Sequence, residues 1–331
     1  MHAPHPMSRH STAALRHRER GESVRTIIIA FSANLIIAIA KLIAGVISRS
    51  SGMIAEAAHS FADTLNEILL GISLRRARQP ADALHPLGHG REQFLWAFLA
   101  AIGSFLIGGC LSIGLAFRSL HIGGETAHTL IAWIVLAVSF AADGASWLQS
   151  MRQARAQARE FSRGLWNYLV GASDPVVRAV VVEDSAALIG LVLAALGLLI
   201  SRFTRSGVPD AIASLLIGIL LAATAVGLAR PLADFLVGRS MPAGELAELR
   251  KILEASPAVE QVLSLQAVYS GPEEVILAAK IHPSAVITTG DLTRAMDDLD
   301  RELRKRSPLV ADVYLDLTTY RLDTLPKEEN L

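Results

Sequence analysis

Cysteine is almost missing from this chain. Cys110 is the single one in 331 residues and lies inside an apolar run, so no disulfide framework is possible and the fold does not depend on an oxidising compartment. Aromatic residues make up 5% of the chain, and the basic residues gather near the ends of apolar stretches with no aromatics interleaved, which excludes nucleic acid as a partner. Net charge is absent as well: Lys and Arg number 31 and Asp and Glu 31, so the informative signal is where the positive charges fall. No H-E-x-x-H motif occurs and His59 has no second histidine at helix spacing, which argues against an intramembrane metalloenzyme. The segment up to Arg25 is basic and histidine-rich with no apolar core, so it is not read as a secretory signal peptide. Acidic residues are absent before Glu19, and residues 1–24 read as a basic disordered cytosolic arm, with an organelle transit sequence as the alternative.

What the chain has in quantity is hydrocarbon. Apolar residues reach 52%, the mean hydropathy is +0.41, and the apolar residues fall in runs long enough to span a bilayer. Six spans are predicted, at about 25–48, 53–74, 93–117, 129–150, 176–200 and 208–229. Arg75, Arg76, Arg78 and Arg91 follow the second span, and Arg152, Arg155, Arg159, Arg163 and Arg178 follow the fourth. The other loops carry fewer, which places both termini and the arginine-rich loops in the cytosol and points to the cell (inner) membrane. Glycines such as Gly103, Gly108, Gly109, Gly190, Gly197 and Gly218 suit close approach between helices in lipid.

Past Pro231 the character changes. PAGELAELRKILEA reads as an amphipathic helix, VEQVLSLQAVYS and EEVILAAKIH as a hairpin around Gly271-Pro272, TGDLTRAMDDLDRELRKR as a second helix, and VADVYLDLT as a third strand. The expected fold class is therefore an α-helical membrane protein. A six-transmembrane-helix bundle over 25–230 is followed by a small α+β ferredoxin-like cytosolic domain over 231–325 and a tail over 326–331.

The second span, SGMIAEAAHSFADTLNEILLGISL from Ser51 to Leu74, departs from a plain spanning helix. His59 and Asp63 are four residues apart on one face, with Glu56 a turn before and Asn66 and Glu67 a turn after. Ionisable groups at that depth cost several kcal/mol unless they face a protein interior, water or an ion. The fifth span adds Glu183 and Asp184 near its middle, about 100° apart on the helix. Together His59, Asp63, Glu183 and Asp184 offer one nitrogen and three oxygen donors, a set that Zn²⁺ accepts and that Mn²⁺, Fe²⁺ or Co²⁺ would tolerate. The competing reading pairs Glu183 and Asp184 with arginines or makes them a proton relay. In the loop ADALHPLGHGRE, Asp82, His85 and His89 have the spacing of a second, cytosol-facing metal site, although loop histidines are often only solvated. Asp143 reads equally as a proton-path residue or as one satisfied by a partner, and Asp210 as a helix-start residue complementing the dipole.

AEAAHSFAD in the second span, HPLGHGREQF entering the third, DSAALIG in the fifth, DAIASLLIG opening the sixth and the ferredoxin-like tail together resemble the cation diffusion facilitator family of metal/proton antiporters. The resemblance implies Zn²⁺ bound between the second and fifth helices, exchange for protons, and a homodimer formed through the tail. His59, Asp63 and Asp184 match the family's ligand positions. The fifth-helix histidine does not: Val180 stands four residues before Asp184, and Glu183 is the substitute, as in the subgroup carrying Glu-Asp there. The Asp82, His85 and His89 loop matches a secondary zinc site of some relatives. His282 is the one histidine of the tail, so a tail that dimerises without a zinc cluster is expected.

The expected function is export of a divalent cation, zinc first, from the cytosol in exchange for protons, by a transporter rather than an enzyme. The ion is cargo, and no prosthetic group is implied. The alternatives are a Mn²⁺, Fe²⁺ or Co²⁺ exporter of the same fold and a membrane scaffold with a vestigial metal site.

Overall fold

The computed structural model describes residues 31–32, 34–122, 130–160, 165, 175–272, 274–284 and 289–318. The basic arm, the opening of the first span and the tail at 326–331 lie outside the described residues. The elements in chain order are α1 (Asn34–Ser48), α2 (Ser51–Ala77), α3 (Glu92–Ser104), a π-helical turn (Phe105–Cys110), α4 (Leu111–Ile122), α5 (Leu130–Glu160), α6 (Pro175–Thr204) and α7 (Val208–Val237). They are followed by α8 (Ala243–Ala255), β1 (Val259–Gly271), β2 (Glu274–Pro283), α9 (Thr289–Arg306) and β3 (Val310–Leu317).

Four helical stretches are long and apolar enough to cross a bilayer: Glu92–His121, Leu130–Ala156, Val180–Thr204 and Val208–Val237. Of the six predicted spans these are the third to the sixth. Helix α2 has 27 residues, long enough by rise per residue, but its acidic stripe and the terminal Arg75 and Arg76 keep it out of the apolar set. For the first span the described part is Asn34–Ser48. Ile36, Ile43 and Val46 on α1, Ile134 and Val138 on α5, and Ile189, Val192 and Leu196 on α6 stand exposed. In a bundle whose backbone polar groups are satisfied internally, such a surface faces lipid tails.

The described residues form two compact units, one drawn from residues up to Leu69 and from Leu99–Ala229, the other from Leu70–Phe98 and from Arg230 onward. In the first unit, Ala44, Met53, Ala55, Ala132, Leu136, Leu191, Ala194, Leu198, Ile217 and Leu221 form a buried cluster, and the alanines among them let the helices approach closely. Helix α7 approaches the α3–α4 segment closely at two glycines. A Cβ on Gly109 would lie 3.2 Å from the Ala222 backbone, and one on Gly218 would lie 2.9 Å from the backbone nitrogen of Ile113. The π-helical turn holds Gly108 and Gly109 buried at this point.

Helices α2 and α6 run antiparallel, in a register fixed by three contacts. Gly52 lies against Ala194, the Glu56 carboxylate against Gly190, and Asn66 reaches Glu183. Asp210 fixes the start of α2. It stands in the first turn of α7, as its sequence position suggests, but its carboxylate serves the other helix. It accepts hydrogen bonds from the Ser50 hydroxyl (2.6 Å), the Ser51 hydroxyl (2.9 Å), and the backbone N–H groups of Ser51 and Gly52. The Met53 N–H donates to the Ser50 hydroxyl at 3.0 Å, and the Ile54 N–H donates to the Ser50 carbonyl at 3.2 Å, so the first four amides of α2 are satisfied.

In the second unit, β1 pairs antiparallel with β2, and β2 pairs parallel with β3 in the order β1-β2-β3. Alternate residues Val275, Leu277, Ala279 and Ile281 of β2 are buried, the period-2 signature of a sheet with one face on a core. Leu249 and Leu253 of α8 and Leu299 and Leu303 of α9 join them, spaced four residues apart as one helix face requires. The core also takes in Phe94 of α3 and Phe235 of α7, whose rings stack at 4.6 Å between centroids. The helix, strand, strand, helix, strand order and the right-handed crossover logic of a parallel β2–α9–β3 unit make this a small ferredoxin-like domain.

Asp210→Ala is expected to remove the cap of α2 and to cost about 2 kcal/mol. The check is thermal unfolding of the detergent-solubilised protein, with Asp210→Asn, which keeps an acceptor, losing less. An unchanged melting temperature for Asp210→Ala would count against this account.

Candidate metal centre

Helix α2 carries the acidic stripe because four-residue spacing stacks Glu56, His59 and Asp63 on one side, and the antiparallel register sets that side opposite the Glu183 turn of α6. His59 is 4% exposed and its Nδ1 stands 3.5 Å from Asp63 Oδ1. That contact is too long for a good hydrogen bond, and both His59 Nε2 and Asp63 Oδ1 are buried without a hydrogen-bond partner among the described residues.

The two acids of α6 are engaged elsewhere. Glu183 accepts from the Asn66 amide at 2.7 Å, and that amide also bonds the Ser104 hydroxyl at 3.0 Å. Asp184 accepts from the Ser150 hydroxyl at 2.8 Å and from the Ser146 hydroxyl at 3.3 Å, both on α5. Glu183 and Asp184 fall about two and a half turns into α6, nearer its start than the middle expected from the sequence. His59, Asp63, Glu183 and Asp184 therefore share a level of the bundle but not a closed cage. Among the described residues they do not form a set of three or more ligand atoms all within 4.8 Å.

Between α1, α2 and α5 lies a group the sequence reading passed over. Lys41 is 1% exposed, and its ammonium meets Ser60 Oγ at 2.9 Å, Glu56 Oε2 at 3.3 Å and Asp143 Oδ2 at 3.5 Å. Of the two readings open for Asp143, the structure shows the partner. Two signals in the sequence pointed here. Lys41 interrupts the apolar run IIAIAKLIAG, and Asp143, Ser146 and Ser150 recur at three and four residues, one face of a helix.

The loop residues are drawn together. Among the described residues, Asp82, His85 and His89 are the set of three whose ligand atoms all lie within 4.8 Å of one another. Asp82 Oδ1 accepts from the backbone N–H of Leu84 (2.8 Å) and His85 (2.6 Å), which folds the turn back on itself. Its oxygens stand 3.2 Å from His85 Nδ1 and 3.2 Å from His89 Nε2, and the two rings lie 4.3 Å apart. Gly88 closes the turn at φ +79°, where a side chain would be strained, and its N–H donates to the His85 carbonyl at 2.9 Å. Glu92 Oε1 takes the other nitrogen of His89 at 2.7 Å, the outer partner that orients a ligating imidazole. Backbone N–H donation from His85, with further bonds from His89 and Leu84, draws the Asp82 carboxyl down to about 2. The Glu92 carboxylate, followed by Asp82, raises the pKa of His89 above its ordinary value.

Residues 27–237 match the cation efflux transmembrane domain, well over half of the chain. The chain belongs to the cation efflux, or cation diffusion facilitator, family. Among proteins similar to this cation efflux chain, metal tolerance protein C4 of Arabidopsis thaliana is 31% identical over 234 residues, covering 71% of this chain and 51% of that protein. The mitochondrial proton-coupled zinc antiporter SLC30A9 of Xenopus laevis is 29% identical over 273 residues, covering 82% of this chain and 49% of the relative. Its human counterpart is 25% identical over 332 residues, covering 88% and 58%. The chain thus spans about half the length of the curated relatives it matches. As a member of this family with several apolar spans, it is a multi-pass integral membrane protein.

Metal binding at the loop requires neutral imidazoles. Because His89 titrates above its ordinary value of 6.5 while Asp82 stays ionised down to about 2, zinc affinity there is expected to rise with pH through the raised His89 value and to fall below it. Isothermal titration from pH 6 to 8.5 checks this, with Glu92→Gln moving the dependence to lower pH. A flat profile would contradict it.

Proposed function

We propose that this cation efflux protein exports a divalent cation, with zinc as the first choice, from the cytosol in exchange for protons. The observation that carries the reading is the pair of buried ligand atoms, His59 Nε2 and Asp63 Oδ1, that have no hydrogen-bond partner among the described residues and lie at the level of Glu183 and Asp184 in a bilayer-length bundle. A dication is the partner these atoms lack. The names of the relatives from Xenopus and human, proton-coupled zinc antiporters, support the same cargo and the same exchange.

The residues suggest the steps. Asp63 and His59 receive the ion first, since Asp63 Oδ1 and His59 Nε2 have no hydrogen bond among the described residues to give up. Asp184 then leaves its serine hydroxyls and Glu183 its asparagine amide to complete four donors, one nitrogen and three oxygens, as zinc accepts. A proton on His59 removes the nitrogen lone pair, so protons arriving from the far side displace the ion, and alternating access carries the exchange across. The oxygen-rich donor set supports Mn²⁺, Fe²⁺ or Co²⁺ as second choices. The positive-inside reading places both termini in the cytosol, and the C-terminal ferredoxin-like domain, with Tyr314 and Leu317 of β3 exposed, is proposed as the face of a homodimer.

Zinc uptake into proteoliposomes under a proton gradient tests this reading. His59→Ala and Asp184→Asn are expected to slow uptake by about 100-fold or more and to abolish the coupled proton movement, with the protein still monodisperse. Parental uptake and proton stoichiometry in His59→Ala would overturn it.

A further inference from the structure

Lys41 is the one lysine in the first 250 residues, where every other basic side chain is an arginine or a histidine. The distinction matters chemically. An ammonium is a compact charge with three donors, and here the three oxygens of Ser60, Glu56 and Asp143 meet those donors at 2.9, 3.3 and 3.5 Å. Three neighbouring elements supply what surrounds it: α1 the lysine, α2 Glu56 and Ser60, and α5 Asp143. On its outer side the Glu56 carboxylate is held against α6, where Gly190 leaves room for it. A Cβ at that position would collide with Glu56 Oε1. Glu56 is fully buried, and that second oxygen has no hydrogen-bond partner among the described residues.

Two carboxylates and a hydroxyl converging on one point form an oxygen site for a cation, and the chain fills it with its own. We propose that Lys41 is a tethered counter-cation whose ammonium occupies a Glu56–Asp143 site that otherwise takes up a divalent ion. In this arrangement the transported ion is kept off that pair. A dication bound there would face two carboxylates in low dielectric and leave slowly, which a transporter must avoid, since its site has to release what it binds. The proposal rests on the reading that divalent cations enter this bundle, and it is tested by a difference between variant and parent.

Lys41→Ala removes the charge and opens the space. Equilibrium dialysis of the full-length protein in detergent against zinc chloride is expected to find about one more ion per chain in Lys41→Ala than in the parent. Adding Asp143→Asn to the variant is expected to abolish the extra ion, and Lys41→Arg to bind as the parent does. The loop site contributes equally to every protein and cancels. A parent that binds no ion in the bundle counts against the transport reading, while the variant's excess over the parent still decides the role of Lys41. In proteoliposomes, Lys41→Ala should lower both KM and kcat by about tenfold, a split that a loss of folding alone does not produce. If Lys41→Ala aggregates without metal, zinc during purification should restore a monodisperse protein, because the dication replaces the missing charge. An unchanged ion count, parental KM and kcat, or aggregation that zinc does not relieve would each overturn the proposal.

Discussion

Charge inside hydrocarbon governs how this bundle is put together. Each ionised side chain at membrane depth must find a counter-charge, a set of donors or an ion, or it will not stay ionised. Glu56, Asp63, Asp143, Glu183 and Asp184 all lie in helices of the first unit, and Lys41 is the cation the structure sets among them. The donors are distributed unevenly. Lys41 takes Glu56 and Asp143, Asn66 takes Glu183, and Ser146 and Ser150 take Asp184. What remains among the ionisable side chains of the described residues is one oxygen each of Glu56 and Glu67 together with His59 Nε2 and Asp63 Oδ1, all on α2. The deficit therefore falls on α2, the helix that carries the pair the family resemblance marks for the metal, and this agreement comes from counting donors rather than from the motif.

That distribution depends on close packing. Glu56 can lie against α6 only because residue 190 has no side chain, and α2 can hold its register against α6 and α7 only because Gly52 and the Asp210 cap pin its first turn. In lipid there is no hydrophobic drive to bring helices together, so small residues and polar bonds must do it. The same residues that let the helices approach also decide which acid meets which donor. A larger side chain at Gly190 would displace the Glu56 carboxylate and, with it, one of the partners of Lys41.

The order of elements in the C-terminal domain was legible because alternation and helix spacing there are strong, as Val275, Leu277, Ala279 and Ile281 illustrate. The stripe on α2 and the loop turn were legible for a similar reason: residues three and four apart in sequence are neighbours in any helix or tight turn. What could not be read was the pairing across helices. Nothing in the sequence says that Asp210 of α7 caps α2, or that Asp143 of α5 faces a lysine of α1, because such contacts depend on rotation about each helix axis. The partners of Lys41 were not legible either, because a lysine in an apolar run could equally extend toward the membrane interface, as long basic side chains do near helix ends.

The two metal-competent sets differ in preparation, and the difference bears on what each is suited to. At the loop, Asp82, His85 and His89 already stand within 4.8 Å of one another, their turn closed by backbone bonds and His89 oriented by Glu92, so an ion would meet a prepared site and stay. In the bundle, the ligands proposed for the cargo are held apart by an amide and two hydroxyls. Hydrogen bonds from neutral donors to a carboxylate are worth about 1.5–3 kcal/mol each, enough to draw a carboxylate off an ion but not enough to deny it one. Gathering Glu183 and Asp184 around a dication therefore spends part of the binding energy on breaking those bonds, and the bonds re-form when the ion departs. A site assembled against such resistance binds more weakly than the same ligands preassembled, and for the proposed exporter, which would have to let go of its cargo on the other side, weaker is what the chemistry requires.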